Sequence, residues 1–146
     1  MKTPRTLILL ASDKLCRLIA AEAGRFTEIA SHSAADFPDV DVEFTSPPPR
    51  GQSPAGTASF TIDPRQSEAE QERGRFAAHV IAALESQWAK GGHDRIVIAA
   101  GPKMLGVLRD RLPKALAAQV MADMDKDLVK IPVHEMSPHF AEVFAP

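Results

Sequence analysis

The sequence contains one cysteine, Cys16, so it has no internal disulfide and is expected to work in a reducing cytoplasm. No apolar run approaches the length needed to cross a bilayer. TLILLA (6–11) has only six residues and reads as a first strand rather than a signal peptide or an anchor. Neither sign of charge dominates. Lys and Arg total 17 against 19 Asp and Glu, a net charge of -2, so bulk electrostatics do not draw the chain to nucleic acid or anionic lipid, and such a contact needs a local basic patch. There is no G-x-S-x-G, P-loop or cysteine–histidine signature, which leaves nucleophilic catalysis without a visible source. The histidines at 32, 79, 93, 134 and 139 are scattered, with no short spacing suited to zinc, and neither metal nor cofactor is expected. His79 reads as a structural residue of a long helix.

With 45% hydrophobic and 25% charged residues over 146 positions, the chain is expected to form one ordinary globular domain spanning 1–146. TLILLA has the pattern of a central strand buried on both faces. LCRLIAAE (15–22) and RFTEIAS (25–31) flank Ala23-Gly24 and complete a β-meander. Periodicity then fades from about 33 to 66, where VDVEF (40–44) and ASFTI (58–62) alternate as short edge strands or extended arms. Ser67 and Glu70 form a capping box, and Phe76, Ala77, Val80, Ile81, Leu84 and Trp88 make one apolar stripe ending at Gly91-Gly92, which predicts a helix from Ser67.

RIVIAA (95–100) reads as a second buried strand and runs straight into Gly101-Pro102, where proline suits the first turn of a helix carrying Met104, Leu105, Leu108 and Leu112. Pro113 is predicted to open another helix with Leu116, Val120 and Met124 on its apolar face. LVKI (128–131) follows as the last strand, and Pro132 opens a terminal helix interrupted by Pro138. These elements predict an α/β domain with a mixed central sheet packed by helices.

Few residues suggest chemistry. DMDKD (123–127) resembles the start of an EF-hand loop, but the sixth position is Leu128 and the twelfth His134, so a solvated turn with Asp127 capping locally is expected. Gly101-Pro102-Lys103 joins a buried strand to a helix N-terminus, where backbone N–H groups and the lysine charge suit an anion, although Pro102 lacks one of those donors. SPPPRGQSPAG (46–56) is the core of the long loop. Its length keeps Arg50, Gly51 and Gln52 as contact candidates, against the plainer reading of a surface spacer.

FAAHVIAALE (76–85), RIVIAAGPKMLGVLRDRL (95–112) and MDKDLVKIP (124–132), with Asp13, Cys16-Arg17-Leu18 and Asp63-Pro64 upstream, resemble the family of proteins described as required for attachment to host cells. The most specific pieces are Ala100 to Arg109 and Asp125 to Leu128. That family is similar to the middle domain of archaeal and eukaryotic peptide release factors, an α/β domain with a ribonuclease H-like layer whose long loop carries Gly-Gly-Gln into the peptidyl-transferase centre. The resemblance implies that Arg50-Gly51-Gln52 takes the place of that loop tip, with Gln52 able to orient a water. Arginine replaces the first glycine, and three prolines stiffen the approach, which moves Gln52 from catalysis towards recognition.

The resulting expectation is a non-enzymatic cytoplasmic adaptor that binds RNA or the ribosome, with Arg50, Gly51, Gln52, Gly101, Lys103 and Arg109 as binding candidates. Its alternatives are an indirect protein-interaction role in host attachment and a peptidyl-tRNA ester hydrolase using Gln52. No membrane partner is expected, and the oligomeric state is left open.

Overall fold

The computed structural model describes residues 3–41 and 64–144. Five strands form one mixed sheet: β1 (Thr6–Ala11), β2 (Leu15–Glu22), β3 (Arg25–Ser33), β4 (Arg95–Ala100) and β5 (Val120–Asp125). Their order is β3-β2-β1-β4-β5, with β1 antiparallel to β2, β2 antiparallel to β3, and β1, β4 and β5 mutually parallel. All six residues of β1 are buried, as a continuous apolar run at the centre of a two-sided sheet requires. The β2–β3 hairpin turns through Ala23 and Gly24 at φ 53° and 81°, the left-handed pair that a two-residue turn with the right twist needs. β3 continues two residues beyond the expected end, and its register shifts once opposite Leu18 and Ile19.

The alternation of β1 splits the core. Leu7 and Leu9 face helix α1 (Pro64–Ala89), where Phe76, Ala77, Val80, Ile81 and Leu84 are buried as the stripe predicted, and helices α2 (Pro102–Arg111) and α3 (Lys114–Ala117) extend that layer. Ile8 and Leu10 face the opposite side, covered by the C-terminal segment through Leu128, Val129, Met136 and Phe140. Phe26, Phe140 and Phe144 cluster there at centroid separations of 5.9 to 6.2 Å.

Several local expectations are corrected. α1 begins at Pro64, so Ser67 lies inside the helix instead of capping it; proline is well tolerated at the first helical position, where its missing N–H would have no partner in any case. The last strand is VMADMD at 120–125, which takes Val120 and Met124 out of the predicted helix, because α3 stops after one turn and the alternating residues beyond it pair with β4. LVKI is not a strand. Arg17 Nη1 donates to the carbonyls of Val129 (3.1 Å) and Ile131 (2.6 Å), holding this stretch as a turn that drives Leu128 and Val129 into the core. The terminal helix is two short 3-10 turns, Val133–Glu135 and Ser137–Phe140, since Pro138 has no N–H to continue a ladder. Of VDVEF only Val40, which is buried, and Asp41 are described; ASFTI and most of the 33–66 loop lie outside the described residues.

Cys16 sits on β2 with 1% exposure, and burial pushes its thiol pKa up to about 11. Iodoacetamide at pH 8 is therefore expected to label the native protein at least ~100-fold more slowly than the urea-unfolded chain, read by mass spectrometry. Comparable rates in the two states would show the thiol to be accessible.

A basic cleft at the carboxyl ends of the central strands

β1 connects to β2 on one side, and the chain returns through α1 to β4 on the other. The carboxyl ends of β1 and β4 are thus where the topology reverses, the usual place for ligands in open α/β sheets. A cleft of about 680 Å³ opens there. One wall is the β1–β2 turn, Ser12 to Leu15, folded on itself by the Ser12 hydroxyl, which accepts from the N–H groups of Lys14 (3.2 Å) and Leu15 (3.1 Å). Gly101 to Met104 form another wall. Gly101 is the N-cap of α2 with no side-chain cap, Pro102 follows at the first helical position, and a Cβ built on Gly101 would meet nothing within 4 Å. The N–H groups of Lys103 and Met104 belong to the first helical turn, which leaves them without intrahelical acceptors. The third wall is the turn after β5, where Asp127 Oδ1 accepts from the N–H of Val129 (3.2 Å), the local cap expected of it.

Lys14, Lys103 and Lys130 line this space, and all three are exposed. Asp13 and Asp127 also line it, but Asp13 is neutralised from behind. Arg73 of α1, nearly buried, donates from Nε to Asp13 Oδ1 (2.9 Å) and from Nη2 to Oδ2 (3.0 Å). Cations therefore outnumber carboxylates around the cleft. A spread of lysine point charges above helical N–H groups suits phosphate oxygens.

Of the sequence candidates, Gly101 and Lys103 lie together here. Arg109 lies at the other end of α2, where its guanidinium meets Asp123 of β5 bidentately at 3.0 and 2.6 Å. That contact raises the pKa of Arg109 and lowers that of Asp123. Arg50, Gly51 and Gln52 lie outside the described residues. Lys14 and Lys130 were not singled out from the sequence: Lys130 was hidden inside an expected strand, while Ser12-Asp13-Lys14, directly after a buried parallel strand, was a usable signal. Among the described residues no group of three or more His, Cys, Asp or Glu side chains converges as a metal site would require, and no helix is long and apolar enough to cross a membrane.

Fold and cleft together define an α/β domain with a lysine-lined cleft at its sheet reversal. The family model described as bacterial archaeo-eukaryotic release factor family 12 matches residues 5–139, and the chain belongs to that family, a translation-related one. The family description names release factors and does not mention attachment to host cells. No curated protein matches the sequence. Among solved structures, the chain is similar to Dom34 of S. cerevisiae, described as a translation termination-like factor involved in RNA quality control pathways and interacting with Hbs1, with 6% identity and a TM-score of 0.44. The match covers 96% of this chain and 36% of the Dom34 chain, so the protein spans about a third of that neighbour's length.

Proposed function

We propose that this domain is a non-enzymatic adaptor that docks on the translation machinery by holding an RNA phosphate backbone in the cleft between the β1–β2 turn and the start of α2. The observation that carries this reading is the convergence of Lys14, Lys103 and Lys130 on one cavity beside the N-terminus of α2, in a chain with a net charge of -2. A protein without bulk positive charge binds a polyanion only where its cations are gathered. Arg50, on the 42–63 segment, would add a further phosphate contact, with Gln52 in recognition beside it. The reading places the protein in the cytoplasm. No observation among the described residues favours the attachment-linked role.

Co-sedimentation with ribosomes over a salt series tests the proposal. The native protein is expected to pellet at low salt and to be released as salt rises. K14A/K103A/K130A is expected to weaken binding and to flatten the slope of log K against log[salt] by about 2, since each single-strand phosphate contact contributes about 0.7. A native protein that stays wholly in the supernatant, or a triple variant with an unchanged slope, would reject the cleft as the contact. The hydrolase alternative is tested separately: peptide release from a loaded ribosome complex that is lost in Gln52→Ala would establish it and overturn the non-enzymatic reading.

A further inference from the structure

The lysine-lined cleft takes one end of the central strands. The other end, where β1 and β4 begin, carries a second cavity of about 350 Å³. Six-residue strands separate the two by roughly 15–20 Å. The floor of the second cavity follows from register. Phe26 of β3 pairs with Ala21 of β2, Ala21 with Thr6 of β1, and Thr6 with Arg95 of β4, so a single row crosses four strands. Paired residues share a face of the sheet, and this row lies on the face of Ile8 and Leu10. The small side chains of Ala21 and Thr6 sit between a phenyl ring and a guanidinium, which leaves a depression that Phe144 and Ala141 line from the C-terminal segment.

Arg95 is held at two points. Its Nε donates to the hydroxyl of Thr6, a buried residue, at 2.8 Å, and its Cζ lies 5.4 Å from the centroid of the Phe144 ring. The bond to Thr6 is the only side-chain hydrogen bond of Arg95 among the described residues. The Nη1 and Nη2 donors at the end of the fork thus stay available at a cavity whose other walls are mostly apolar. Shielding Phe144 from water would need the stacking contact alone. The anchor on Thr6 also fixes the plane and direction of the guanidinium before any ligand arrives, which lowers the ordering cost of a two-point contact.

We infer that this cavity is a second ligand site, for a small monocarboxylate with an aromatic or branched apolar body. Nη1 and Nη2 of Arg95 take the two carboxylate oxygens, and the apolar body lies against Phe26, Ala21 and Phe144. Three features select this class. The planar fork matches the planar carboxylate bidentately, where a lysine would offer only a point charge. A volume of about 350 Å³ is at the small end of the range for ligand sites, roughly 300–1,000 Å³, and suits a molecule the size of one amino acid. Glu22, at the end of β2, also lines the cavity, so the formal charges of Arg95 and Glu22 cancel and a phosphate dianion would bring surplus negative charge. The first cleft, with its three lysines, has the opposite balance.

Titration of the isotope-labelled whole chain with 3-phenylpropionate, followed by amide chemical shifts, reads the site directly. Saturable shifts are expected at Ala21, Phe26 and Arg95 and none at Lys14 or Lys103. The uncharged 3-phenylpropionamide and the dianion phenyl phosphate are each expected to bind at least ~10-fold more weakly, the loss that goes with a charge-assisted hydrogen-bond pair. Arg95→Lys keeps the charge but loses the fork, and should weaken 3-phenylpropionate by a similar factor. Ala141→Leu fills the cavity from an exposed position without touching Arg95, and is also expected to weaken binding, with the shifts of Leu9 and Ile98 showing that the sheet is intact. No saturable shift at the three amides, equal affinity for the amide, tighter binding of phenyl phosphate, or shifts at Lys14 and Lys103 instead would each overturn the inference. The readout involves no RNA and the opposite end of the sheet, so it stands or falls apart from the function proposed for the cleft.

Discussion

Phe140→Ala is expected to destabilise the protein by about 3–5 kcal/mol, the largest effect of any substitution considered, measured as the fall in unfolding free energy from urea denaturation. Phe140 is fully buried and lies on the sheet face that, among the described residues, no long helix covers. The cover there is a segment with only two short 3-10 turns, whose few main-chain hydrogen bonds cannot hold it in place alone. Phe140 and its neighbours Phe26 and Phe144 supply the burial that keeps the segment down, over Ile8, Leu10 and Val97. Against a total stability of roughly 5–15 kcal/mol for a domain of this size, the loss would leave the protein marginal. A change below about 1 kcal/mol would show that the segment closes over the gap or contributes little to the core.

Asp13→Ala is expected to cost about 3 kcal/mol in the same measurement, because it leaves the Arg73 guanidinium nearly buried without its carboxylate. Arg73→Met should cost less. Asp13 keeps 27% of its side chain exposed and can recover hydration, and methionine preserves much of the aliphatic packing of Arg73. The double variant Asp13→Ala/Arg73→Met should be more stable than Asp13→Ala alone, since no charge remains stranded. Stability and binding then move in opposite directions: removing Asp13 from the cleft wall leaves the Arg73 charge uncompensated behind the lysines, so Asp13→Ala is expected to bind ribosomes more tightly at a given salt while unfolding more easily. If Asp13→Ala cost no more than Arg73→Met, the assumption that Arg73 is the costlier partner to strand would be wrong.

The strands that were legible in the sequence are those whose environment is uniform. TLILLA and RIVIAA are apolar throughout because both faces of their strands are covered, and the stripe on α1 repeats at the helical period because one long face meets the sheet. VMADMD was misread because its alternation belongs to an edge strand, and a short alternating stretch after a proline-initiated turn also fits a helix. LVKI departs from the strand expected of it because its carbonyls at Val129 and Ile131 are taken by Arg17, a side chain over a hundred positions earlier in the chain, rather than by a neighbouring strand, while Leu128 and Val129 pack into the core beside Ile8 and Leu10. The placing of Gly101 and Lys103 together at a strand-to-helix junction was legible because a strand–glycine–proline–lysine sequence is a local signal. Lys14 and Lys130 each look like an ordinary surface lysine until the fold places their turns side by side.

Contiguous residues carry the α/β class, the central strand and the long amphipathic helix, because each depends on the period and chemistry of a single stretch. The assembled fold alone sets which strand closes the sheet, what covers its second face, and that three lysines from three separate turns share one cleft with Asp13 held back by Arg73. Those outcomes depend on contacts between distant segments, and the energy of such contacts is not written in any local pattern.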